Sequence, residues 1–214
     1  MKTITELNKL TGGLSSPSKM PCHSFSLPAS KCKRGAELAK VAGTVCHSCY
    51  AMKGRYRFSN VQKAQQRRYD LLMADKPFAY FTWTENMLQL IYQKEKSGYF
   101  RWHDSGDIQD VDHLWAINYI AKRLENIQFW LPTRELDIVH QLENEIDEEL
   151  SPNLIIRISA DAVSEKEFYQ SGLQTSSVDS GYGWRCPAPS YQGKCNKCRA
   201  CWQPNIRNVD YALH

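Results

Sequence analysis

The chain has 214 residues, 42% of them apolar or aromatic and 23% charged, with a formal net charge of +4. That is enough to bury one sizeable core, so a single domain is expected, and six Trp, eleven Tyr and seven Phe exclude a disordered, collagenous or coiled-coil chain. No run approaches 18 apolar residues and residues 1–13 hold no apolar leader core, which argues against a membrane partner and a secretory signal and points to the cytoplasm.

In chain order the first segment, residues 1–60, is a basic lobe carrying Cys22, Cys32, Cys46 and Cys49. A cytoplasmic chain of this size needs no disulfide staples, so clustered cysteines there point to metal. Pro21, Gly35, Gly43 and Gly54 suit an irregular, ion-knit lobe, although Cys22 and Cys32 also read as buried hydrophobes beside one Cys46-x2-Cys49 pair. Residues 61–181 read as the core. Helices are expected near Val61–Met73 and Phe78–Tyr92, before a strand at Tyr99–His103. Asp110 can cap a helix whose apolar face is Val111, Leu114, Ile117, Ala121 and Leu124. A strand at Ile127–Leu131 follows, then a helix marked by Leu136, Val139, Leu142 and Ile146 and stopped at Ser151-Pro152. A third strand is expected at Leu154–Ile158, and Ser164 can cap a short helix at Glu165 to Gln170. Strand centres at Trp102, Phe129 and Ile156 recur every 27 residues, the spacing of βαβ crossovers. The expected fold is α/β, a partial (β/α) barrel with parallel strands and metal-binding lobes at both ends. Residues 182–214 form the tail, with Cys186 separated by eight residues from Cys195, Cys198 and Cys201, which follow at successive C-x2-C spacings, and His214 as a further ligand candidate. Four soft ligands suit structural zinc or an iron–sulfur cluster.

In parallel α/β folds chemistry gathers where strands end. Each core strand here ends in polar groups: His103-Asp104-Ser105-Gly106-Asp107, then Pro132-Thr133-Arg134-Glu135, then Ser159-Ala160-Asp161. Asp104 with Asp161 can form a paired-carboxylate site, with Asp107 a further acid, Arg134 a clamp for phosphate or carboxylate, and His103 a functional group. Helix capping by Asp107 and a turn at Asp161 are the structural alternatives. Charge is uneven. Residues 1–68 hold 13 basic and 2 acidic side chains, residues 69–181 hold 9 and 20, and residues 182–214 hold 5 and 1. Lys53, Arg55 and Arg57, interleaved with Tyr50, Tyr56 and Phe58 and extended by Lys63 and Arg67, can pair phosphates while rings stack bases. A solvated face paired with the acidic middle explains the same charges.

The segments Pro21–Pro28, Cys46-His47-Ser48-Cys49-Tyr50-Ala51 and Arg101–Asp107, with the Cys-rich tail, resemble the phage gene product 88 family across most of the chain. That likeness implies a phage or prophage origin and residence in the host cytoplasm. Asp104-Ser105-Gly106-Asp107-Ile108-Gln109 is similar to the D-S-G-G-F-Q motif of queuine-type guanine transglycosylases, with Asp107 and Ile108 standing where that motif has Gly and Phe. Those enzymes also carry a zinc site of three close cysteines and a histidine. This second resemblance implies a base-exchange enzyme that inserts a 7-deazaguanine into DNA or tRNA. His103, Ser105, Gly106, Gln109 and Arg134 would hold the base, one aspartate would attack the sugar C1′, and Zn2+ in one or two sites would be structural. Two other readings remain open. Cys32, Cys46 and Cys49 can ligate a [4Fe–4S] cluster for radical S-adenosylmethionine chemistry, or the chain is a zinc-dependent nucleic-acid-binding protein without catalysis.

Overall fold

The computed structural model describes residues 1–144, 148–165 and 172–213. The chain forms α1 (Ile4–Thr11), β1 (Ser24–Phe25), α2 (Arg34–Leu38), α3 (Ser59–Ala74), α4 (Phe81–Lys94), β2 (Tyr99–Trp102) and α5 (Val111–Arg123). It continues with β3 (Gln128–Thr133), α6 (Leu136–Asn144), β4 (Leu154–Ser159), β5 (Gln174–Val178), β6 (Trp184–Arg185) and β7 (Asn208–Tyr211). One seven-stranded sheet runs β1-β2-β3-β4-β5-β7-β6, and every neighbouring pair is parallel. The α/β class with parallel strands is therefore as expected. The barrel is not: the sheet is open, with β1 and β6 as its edges. Among the described residues no helix is long and apolar enough to cross a membrane.

Local chemistry explains the helices. Asp110 accepts the His113 N–H at 3.0 Å and starts α5, while Lys122 and Arg123 complement its carboxyl end. Thr3 and Glu6 close a reciprocal capping box on α1. One face of the sheet packs on helices. Phe100, Trp102, Phe129, Leu131, Ile156 and Ile158 meet Leu90 and Ile91 of α4, Leu114 and Ile117 of α5, and Val139 and Leu142 of α6. Each fully buried Leu, Ile or Phe contributes about 1.5–3 kcal/mol, which makes this the main core.

The alternate strand residues face the tail, which lies across the opposite side. Trp202 packs on Trp130 and Tyr99 at ring separations of 5.2 and 5.5 Å, and its indole N–H donates to the Phe100 carbonyl at 2.8 Å. Arg157, fully buried on β4, donates to the carbonyls of Thr175, Ala200, Cys201, Gln203 and Ile206. This one side chain serves as the post around which residues 200–206 turn.

The end of the first core strand needs adjustment, and two further expectations fall partly outside the described residues. The first core strand stops at Trp102, because His103 adopts φ +49°, a left-handed value that breaks the ladder. Ser164 has φ +63° and donates its N–H to Val178, so it does not cap a helix in extended geometry, and residues 166–170 of the expected short helix lie outside the described residues. Ile146 also lies outside them.

Candidate functional site

The polar groups that follow β2, β3 and β4 lie side by side because these strands are parallel and adjacent. Residues 31–56 reach over this rim and are hydrogen-bonded to all three strand ends. At β2, Tyr50 and Tyr56 donate their hydroxyls to the Asp104 carbonyl at 2.6 and 3.2 Å, and Tyr56 also donates to the Asp104 carboxylate at 3.0 Å. At β3, Glu135 accepts the backbone N–H groups of Lys33 and Arg34 at 3.2 and 2.9 Å. At β4, Asp161 pairs with Arg34 at 2.7 Å, and its carbonyl accepts the Val45 N–H at 2.8 Å.

These bonds bring Cys32, Cys46 and Cys49 over the rim. Gly35 lies between two of them: a Cβ there would sit 3.5 Å from the Cys46 sulfur and 3.7 Å from that of Cys32. Burial pushes the Cys32 and Cys46 thiols up, and Asp107 and Cys49 add to the effect at Cys32. Asp107 is buried beneath this group. It accepts the Thr133 hydroxyl at 2.6 Å and the N–H groups of Ile108 and Arg134 at 2.8 and 3.0 Å. Burial outweighs these bonds and carries its pKa up to about 6.

Among the expected site residues, Asp104, Gln109 and Gly106 are engaged within the protein. Asp104 accepts Ser24 Oγ at 2.8 Å in addition to Tyr56. Gln109 donates its amide to the carbonyls of Asp107 and Lys31 at 2.7 and 3.4 Å, which ties the β2 loop to the residue before Cys32. Gly106 has φ +81°, and a Cβ there would meet the Leu27 Cβ at 2.6 Å, so only glycine fits. The other three residues expected to hold a base, Arg134, Ser105 and His103, do carry unused bonding capacity. The Arg134 Nε, the Ser105 hydroxyl and both ring nitrogens of His103 are buried without a hydrogen-bond partner in the protein. Arg134 also donates to the Ala160 carbonyl at 2.9 Å and stands 3.8 Å from Asp161. Burial, then His113 and Arg101, hold the His103 pKa well below its ordinary value, so this ring is neutral.

Lys53, Arg55, Arg57, Lys63 and Arg67 are all exposed, as are Met52 and Phe58 beside them. None of these five cations joins an ion pair among the described residues; Arg67 donates to the Gly12 carbonyl. The cysteines are grouped differently from their order in the sequence. Cys22 leaves the first set and enters a small buried cluster with Cys201, Trp130, Trp202 and Val209, against which Cys186 and Cys198 pack. The metal-binding lobes expected at the two termini are not shown among the described residues. Among the described residues no three His, Cys, Asp or Glu side chains are set to hold an ion as they stand. His214 lies outside the described residues.

Glu135, Arg34 and Ser24 are contributors that the sequence did not assign, and Tyr56, expected as a base-stacking ring, instead bonds Asp104. Of the three, only Glu135 carried a signal, as the acid beside Arg134 at a strand end. Arg101 and Arg157 had none, since a lone cation inside a strand does not announce its partners. A family model described as Gene product 88 matches residues 2–204. No curated protein and no solved structure matches the chain, so the likeness to guanine transglycosylases gains no support from either.

Proposed function

The chain belongs to the Gene product 88 family of phage proteins, and from that premise we propose that it is an iron–sulfur enzyme whose cluster sits on Cys32, Cys46 and Cys49. The observation that carries this reading is the anchoring of residues 31–56 to three strand ends at once, which holds three thiols above the rim where parallel sheets bind ligands. Three cysteines leave one iron of a four-iron cluster open for an external ligand, with S-adenosylmethionine as the expected one, and such a group supplies one-electron chemistry. The remaining roles belong to the chain. Arg134, whose buried Nε has no hydrogen-bond acceptor and stands 3.8 Å from Asp161, takes the carboxylate or phosphate of the bound molecule. Asp107, whose pKa stands at about 6, accepts or releases a proton near neutral pH. The tyrosine lid of Tyr50 and Tyr56 keeps water from the Asp104 side. The exposed cations from Lys53 to Arg67 give the substrate a nucleic-acid class, DNA by the phage origin.

Base exchange is the competing reading. Its two carboxylates already accept bonds, Asp104 from Ser24 and Tyr56 and Asp161 from Arg34, which fixes their orientation and weakens them as nucleophiles. Anaerobic purification with iron and acid-labile sulfide determination tests the proposal. The protein is expected to be coloured, and Cys32→Ala, Cys46→Ala and Cys49→Ala each to lose that iron. A colourless, iron-free protein that releases labelled guanine from DNA, and stops doing so in Asp104→Asn, would overturn it in favour of base exchange.

A further inference from the structure

We infer that Cys22, Cys186, Cys195 and Cys198 form a second, closed site for one tetrahedral divalent ion of zinc type, which clamps the tail to the segment before β1 and leaves Cys201 out. The inference does not depend on what the rim holds.

Three backbone hydrogen bonds position the four residues. Cys195 donates its N–H to the Lys19 carbonyl at 2.9 Å, which joins the tail to the Cys22 segment across the sheet. The Cys198 N–H returns to the Cys195 carbonyl at 2.9 Å, the tight turn that lets a C-x2-C pair face one ion. Cys186 donates to Asp210 at 2.8 Å and is thereby fixed to β7. Cys195 lies within electrostatic reach of Cys22, Cys186 and Cys198, and Cys201 within that of Cys186. Cys201 is occupied elsewhere, its sulfur 3.1 Å from the Tyr211 hydroxyl.

Charge supplies an independent observation. Arg101 and Arg199 act electrostatically on Cys22 and Cys195, and neither forms an ion pair among the described residues. Arg101 stacks over Trp130 at 4.3 Å, donates to the Tyr50 hydroxyl at 3.2 Å and feels the Asp104 carboxylate, yet its Nε is buried without an acceptor. A buried guanidinium is stabilised by an anion beside it. Four thiolates around a divalent ion carry two net negative charges and would add to what Asp104 supplies to Arg101. Binding releases the four thiol protons to solvent and requires the four sulfurs to move together from where they now stand.

Metal analysis of the full chain tests this. One zinc per chain is expected, lost in Cys22→Ser and Cys195→Ser and kept in Cys201→Ser. Because a ligand variant can misfold, a second measurement uses the unaltered protein: cobalt exchanged into the site should show the charge-transfer intensity of four thiolates, with Cys22 shielded from alkylation until a chelator is added. Retention of the ion in Cys22→Ser, alkylation of Cys22 in metal-loaded protein, or loss in Cys201→Ser would each overturn the assignment. Iron absent from the rim while this zinc persists would refute the proposed function alone.

Discussion

Asp210 shows how much one side chain can organise. It accepts hydrogen bonds from Ser177, Ser180 and Gly181 and pairs with Arg185 at 2.7 Å. Burial by itself would raise its pKa, but the Ser180 N–H, the Arg185 guanidinium and the two serine hydroxyls prevail and bring it down to about 2. A carboxylate with a depressed folded pKa stabilises the fold above its unfolded value of 3.8 and loses that contribution as the pH falls through about 2. The contribution is about 2 kcal/mol at neutral pH. Chemical denaturation of wild type and Asp210→Asn should therefore differ by about that much at pH 7 and converge between about pH 4 and about pH 2. A pH-independent difference would show that Asp210 acts through packing. Such roles are only partly legible in a sequence. Asp110 could be read as a helix cap because its partner is three residues away, whereas the Asp104 partners Tyr56 and Ser24 are 48 and 80 residues distant.

Among the elements, legibility follows apolar content. β2, β3 and β4 stand out because strands covered on both faces carry near-continuous apolar runs. β5 escapes notice: its Thr175, Ser176 and Ser177 are buried yet polar, satisfied by Asn208 and Asp210 of β7 and by Ser159 of β4, partners no local window contains. β1 and β6 have two residues each, too few for any periodicity. The tail depends on Arg157 rather than on apolar burial alone. Replacing Arg157 with Met would leave five carbonyls without their donor in a buried setting. We expect a loss of about 3–5 kcal/mol and protease cleavage within residues 186–207 under conditions that leave wild type intact. A protease-resistant Arg157→Met protein would mean that Trp202 and the thiol cluster hold the tail unaided.

At the scale of the whole molecule, the basic first third is folded over the acidic strand ends, yet only part of its charge is used there. Arg34 is consumed by Asp161, while Lys53, Arg55 and Arg57 remain outward beside exposed Phe58. Reversing these three to Glu should weaken DNA binding at least about tenfold and flatten its dependence on salt, by about one unit of slope for every phosphate that is no longer neutralised. Unchanged affinity, or no DNA binding by the wild type, would overturn this assignment of the basic face. The strand order carries a separate consequence. β7, formed by residues 208–211, is inserted between β5 and β6, and β6 has no other neighbour. During synthesis β6 must therefore wait, unpaired, until residues 208–211 have left the ribosome, and a premature stop before Asn208 would cost the sheet two strands instead of one.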